Sequence, residues 1–285
     1  MTYYENTTGQ LISTCDGFSL FYQKWIPPET ITQVIVFQHG LGEHSGRYQN
    51  LIEAFVDTGT AFYALDARGH GRSSGKRGHI TKFRCFVDDL HDLIYLARQA
   101  HENQKVFLLG HSMGGALVLK YALTENYQQE LRGLIASSPA IEPVMDTVKQ
   151  IQKKIAAILS QIIPSLTTAS QLNVQNLSHN PNVIRAYQAD PLVHDQASAR
   201  VGHGLFIIHE EVYEKAASLT IPVYLLHGTA DQITSAPSTE KFYHLLTTRD
   251  KTLKLYEGLY HETMNEPEED RQRVLDDLKT WVLAH

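Results

Sequence analysis

The sequence predicts an α/β protein: a mostly parallel central sheet flanked by helices, with a cap inserted late in the chain. Three observations predict it. Short, continuous apolar runs recur along the chain, as strands buried on both faces require. Helix-like stretches alternate with these runs, as parallel connections require. That alternation then stops between residues 139 and 220, a gap too long for a simple strand-to-helix connection. The expected division is a core from 1–138 and 221–285, with a cap over 139–220.

The elements follow in order. Gln10 to Thr14 and Phe18 to Trp25 flank Asp16-Gly17, a hairpin signal, and read as two antiparallel edge strands. Gln33 to Gln38 is a central strand running into His39-Gly40-Leu41-Gly42-Glu43. Ser45 to Asp57 reads as a helix closed by Gly59. Thr60 to Leu65 is the next strand. The loop after it, Asp66 to Gly75, is glycine-rich but lacks the spacing of a dinucleotide or P-loop motif, so Asp66 and Arg68 are expected to tie down a structural loop. Thr81 to His101 reads as a helix with Val87, Leu90, Ile94 and Ala97 inside. Asp88, Asp89, Asp92 and Arg98 form its wet face. Leu131 to Ser137, Ile221 to Leu226 and Thr252 to Tyr256 complete the parallel strands, and Pro267 to Leu283 forms a closing helix. Within the cap, Val144, Val148, Ile151, Ile155, Ile158/Leu159 and Ile162 make a helical stripe. Either it packs on the main domain, or it lines an acyl pocket or meets a membrane surface. Asp190-Pro191-Leu192-Val193 reads as a turn fixing the rear of the cap.

Bulk properties narrow the function. A formal net charge of −6 argues against general nucleic-acid binding. The stretch MTYYENTTGQ has no secretory-signal pattern, and no apolar run approaches the ~20 residues that span a bilayer. Cys15 and Cys85 are too few for a disulfide scaffold and suggest a reducing compartment. The expected location is cytoplasmic, with peripheral membrane contact through the cap left open.

The chemistry centres on Lys105 to Lys120. Val106 to Leu109 is a strand, Gly110-His111-Ser112-Met113-Gly114 matches G-x-S-x-G, and an apolar helix follows. A serine on so tight a turn sits at strained dihedrals, and side chains at the flanking glycines would clash. Gly71-Arg72-Ser73-Ser74-Gly75 also matches the motif, but without the strand and helix, so Ser73 reads as a surface-loop serine. Ser112, Asp231 and His261 each lie just past an apolar strand, and parallel strands deliver their ends to one edge. His261 would take the serine proton, and Asp231 would orient the imidazole. The backbone N–H groups of Leu41 and Met113 would receive the oxyanion. Neither H-E-x-x-H nor a cysteine cluster is present, so no metal and no cofactor is expected.

HGLGEHSGRY (39–48), DARGHGRSSGKRGH (66–79), GHSMGG (110–115), HGTAD (227–231) and His261 together resemble the α/β-hydrolases. The resemblance is specifically to the monoacylglycerol lipase / lysophospholipase group of serine hydrolases, and it covers nearly the whole chain. It implies hydrolysis of an acyl ester in a small lipid through an acyl-enzyme. It also makes Glu43 and Arg47 candidate head-group contacts, or else a polar pair that stabilises their loop. A small-ester esterase or a proline-type aminopeptidase is the alternative on this scaffold. A non-catalytic receptor is the reading from another class. Acyl-chain preference and oligomeric state are left open.

Overall fold

A computed structural model describes residues 4–124, 126–144, 147–170 and 172–285, with backbone alone for 147–154. The strands are β1 (Glu5–Ile12), β2 (Ser19–Ile26), β3 (Gln33–Gln38), β4 (Thr60–Leu65), β5 (Val106–His111) and β6 (Leu131–Ser137). They continue with β7 (Thr167–Ala169), β8 (Gln196–Ser198), β9 (Val223–Gly228) and β10 (Lys251–Tyr256). Eight of them form one sheet in the order β1-β2-β4-β3-β5-β6-β9-β10, and β7 pairs with β8 apart from it. The β1–β2 and β2–β4 pairings are antiparallel, and every pairing from β4 to β10 is parallel. Six carboxyl ends therefore meet at one edge.

The helices are α1 (Gln49–Ala54), α2 (Arg84–Ala100), α3 (Met113–Ala122), α4 (Thr147–Ile162), α5 (Pro181–Ala189), α6 (Ala199–Lys215), α7 (Ala236–Leu245) and α8 (Glu268–Ala284). The continuous apolar strands supply two cores because successive side chains leave opposite faces. Val34 and Val36 join one core with residues of α2, α3 and α6. Ile35 and Phe37 join the other with residues of α1 and α8. Each fully buried Val, Leu, Ile or Phe contributes about 1.5–3 kcal/mol.

Several expectations need correction. The helix read over 45–57 is only a 3₁₀ turn at Ser45–Arg47 followed by the short α1. Two acids assigned to the wet face of α2 are buried: Asp89 is held by Arg68 and Ser13, and Asp92 by Thr14. Helical spacing marks Asp89 and Asp92 as polar positions but does not show that the β1–β2 turn will land on them. The same landing joins Cys15 to Cys85 in a disulfide, with Cα atoms 5.6 Å apart. The inference of a reducing compartment, which took these thiols as unpaired, loses its basis. Asp16 lies beside the pair, but both sulfurs are consumed by the bond, so the cluster offers no thiolate to a metal.

Between β6 and β9 lie α4, β7, α5, β8 and α6. The rear of this segment is pinned to the core. Asp190 binds His44 Nε2 at 2.8 Å, His194 N–H donates to Gly42 O, and Ser198 N–H donates to Gly78 O. The front differs from the stripe packed on the main domain. Val148 and Ile151 lie outside the described side chains, but Ile158 and Ile162 are 60% and 70% exposed. Among the described residues no helix is long and apolar enough to cross a membrane.

Candidate active site

Ser112 is the single residue between β5 and α3. Its φ of 54° and ψ of −120° are strained for a side-chain-bearing residue, at a cost of order 1–3 kcal/mol. The surroundings hold it there. Ser112 N–H donates to Ser137 O, and Ser112 O accepts from Ala116 and Ala140. The flanking glycines are needed for close approach. A Cβ at Gly110 would lie 2.2 Å from Gly114 O, and one at Gly114 would lie 2.2 Å from Gln38 O. Ser73 in the second G-x-S-x-G sequence is not on the surface as expected. It is buried, accepts from Phe21 N–H and donates to Asp66 O, so its hydroxyl is committed to the loop. Asp66 and Arg68 do tie this loop down: Asp66 accepts from Ser45 and Arg72 N–H, and Arg68 pairs with Asp89 and Asp16.

The turn after β9 carries Asp231, and the turn after β10 carries His261. Their side chains meet: His261 Nδ1 lies 2.7 Å from Asp231 Oδ2, and both residues are buried. The carboxylate must accept this proton, which leaves His261 Nε2 with its lone pair. Asp231 Oδ1 accepts from the Ile233 and Thr234 N–H groups, which fixes the carboxylate plane. Asp190, in the turn after α5, is instead paired with His44. Ser112 and His261 line one cavity together with Gly40, Leu41, Glu43, Arg47, His111 and Glu262; Leu172, Leu177 and Tyr187 close it from the segment between β6 and β9.

The electrostatics follow from this burial. Burial by itself raises the Asp231 pKa, but the His261 charge and hydrogen bonds from His227 and His261 outweigh it and hold the carboxyl well below its usual range. Burial pushes the His261 pKa down, yet the Asp231 charge and hydrogen bond, with Glu262 and Glu43, carry it above 6.5. His111, 4.7 Å from the His261 ring, goes the other way: burial and then the His261 charge lower it to about 4.

Glu43 and Arg47 line the cavity but are already engaged. Glu43 Oε1 accepts from Gly40 N–H at 2.6 Å and from Tyr48 O–H at 2.9 Å. Arg47 donates to Glu43 Oε2 and forks onto both oxygens of Glu262, while its guanidinium lies 4.6 Å from the Tyr187 ring centroid. Burial raises the Glu43 pKa, but Arg47, His111 and His39 bring it down to about 2. Glu43 thus shapes the loop that carries Leu41. The Leu41 N–H has no acceptor among the described residues, and neither has the Met113 N–H at the start of α3. Sequence reasoning missed His227, Thr234 and Glu262. Their only signals were position: His227 four residues before Asp231, and Glu262 next to His261.

Residues 29–268 match the family described as "Serine aminopeptidase, S33". The monoacylglycerol lipase of Mycolicibacterium smegmatis is 35% identical over 94% of both chains. The human monoglyceride lipase is 31% identical over 94% of this chain and 88% of its own. The crystal structure of Paleococcus ferrophilus monoacylglycerol lipase superposes with a TM-score of 0.77 at 35% identity, covering 92% of this chain and 99% of that one. The chain belongs to this family of serine hydrolases and has the α/β-hydrolase fold.

Proposed function

We propose that the protein hydrolyses the acyl ester of monoacylglycerols or lysophospholipids by a serine acyl-enzyme mechanism. The observation that carries the reading is the buried His261–Asp231 pair, whose histidine shares a cavity with a serine held at a positive-φ backbone conformation. Ser112 Oγ attacks the ester carbonyl while His261 Nε2 takes its proton. The Leu41 and Met113 amides stabilise the oxyanion, each worth ~3–4 kcal/mol in such sites. The protonated imidazole hands its proton to the leaving alcohol, leaving the acyl group on Ser112. Water, deprotonated by His261, then releases the fatty acid.

The substrate class rests on the relatives named monoacylglycerol lipase and on the lining of the cavity. Its polar wall of Glu43, Arg47 and Glu262 suits a hydroxylated head group, and Leu172, Leu177 and Tyr187 suit the start of an acyl chain. Residues 139–220 act as the cap. The exposed Ile155, Ile158 and Ile162 of α4, with Ile163 and Leu166 beyond it, form an apolar face suited to a lipid surface.

The family description names an aminopeptidase, and this is the alternative activity. Turnover of a monoacylglycerol emulsion against an aminoacyl arylamide separates the two. The wild type is expected to cleave the ester with at least about 100-fold higher kcat/KM, a difference of about 2.7 kcal/mol in transition-state stabilisation. Preference for the arylamide would overturn the substrate assignment while leaving the nucleophile intact.

A further inference from the structure

The acid of the proposed triad carries two imidazoles on one oxygen. Asp231 Oδ2 lies 2.7 Å from His261 Nδ1 and 3.0 Å from His227 Nε2. His227 is completely buried near the end of β9, and the reaction described above makes no use of it. Its other nitrogen, Nδ1, lies 2.8 Å from Thr239 Oγ1 on α7. These contacts determine where its proton sits. With a lone pair on Nε2, two electron-rich atoms would face each other at 3.0 Å in a dry site. With N–H at Nε2, the carboxylate accepts and the Thr239 hydroxyl donates to Nδ1, so all three groups are satisfied. Thr234 Oγ1 stands within 3.3 Å of both rings, 2.8 Å from the same carboxylate oxygen.

We propose that His227 is a positioning residue for the triad, donating Nε2–H to Asp231 Oδ2 so that a second ring shares the carboxylate that serves His261. The inference rests on the triad reading and deepens it. The consequence is electrostatic as well as steric. A carboxylate that divides its lone pairs between two rings attracts each less strongly than one serving a single ring. Without the His227 donor, Asp231 binds the His261 imidazolium more tightly, and His261 holds its proton to higher pH. The other groups around His261 that carry or could carry charge are Glu262 and Glu43, with Arg47 between them, and the neutral His111 ring. They remain in place in every variant below.

The test is the pH dependence of the second-order rate of inactivation by a soluble fluorophosphonate, which needs no lipid interface. His227→Leu removes the donor, and His227→Gln replaces it with an amide N–H of similar reach. The acid limb of His227→Leu should move up by about half a pH unit or more. The limb of His227→Gln should stay within about 0.2 unit of wild type. A His227→Leu limb that is unmoved or moves down, or one shared by both variants, overturns the proposal. If His227→Leu does not fold, His227→Met, which also lacks an N–H donor, carries the test: its limb should move up likewise, and an unmoved limb overturns the proposal. Ser112→Ala separates the two readings. Labelling that survives this change refutes the triad itself, whereas Ser112-dependent labelling with an unmoved limb refutes only the role of His227.

Discussion

His261 sets the pH dependence of the proposed reaction, and the sign follows from its surroundings. It works as a base only when neutral, and burial alone would favour that form. Asp231, Glu262 and Glu43 nevertheless stabilise the imidazolium more than burial opposes it. The ring therefore stays protonated to a pH above its ordinary value of 6.5, and kcat/KM on a soluble ester should fall as pH drops through a point higher than 6.5. A pH–rate profile with its acid limb at or below 6.5 would contradict this balance of charges. From the sequence alone the expected limb stands near ~6.5, the value of an unperturbed histidine, because the sequence does not show which acids will face the ring. The positions of Ser112, Asp231 and His261 were legible because each follows an apolar strand. The partners of the nearby residues were not. Nothing local in His227-Gly228-Thr229-Ala230-Asp231 says that the histidine turns its Nε2 onto the aspartate. Nothing in a glycine-flanked serine says that Ser73 will be buried with its hydroxyl accepting from Phe21 N–H.

Single elements show what periodicity can and cannot reveal. The stripe of α4 marks an apolar face but not what covers it. Beyond residue 154 that face is open, with Ile158 and Ile162 mostly exposed. If it meets a lipid surface, burying one isoleucine there is worth about 1.5–3 kcal/mol. Ile158→Asp or Ile162→Asp should then lower kcat/KM on a monoacylglycerol emulsion roughly tenfold. Hydrolysis of a soluble short-chain ester should stay within about twofold, since no described side chain of α4 lines the cavity of Ser112. Equal losses on both substrates would place the effect in folding or catalysis and remove the surface role. On α2 the same periodicity located the inner stripe, yet Asp89 and Asp92 are buried because the β1–β2 turn lies across them. The Cys15–Cys85 disulfide belongs to that contact. Its partners are 70 residues apart in sequence, and no local pattern announces the bond.

At the scale of the molecule, six parallel strands gather residues from distant parts of the chain at one edge. This architecture was the most legible feature of the sequence, because continuous apolar runs and long connections admit few other arrangements. The segment between β6 and β9 was legible as an interruption but not in its contacts. Leu172, Leu177 and Tyr187 reach the cavity, and Leu177 O accepts from Glu262 N–H beside the histidine. The account's central claim is that Ser112 is the nucleophile assembled at this edge. Peptide mass mapping after fluorophosphonate treatment tests it most directly. The account predicts a single adduct on Ser112, abolished in Ser112→Ala with the fold intact. An adduct on another residue, or no adduct on folded wild-type protein at neutral pH, would contradict it.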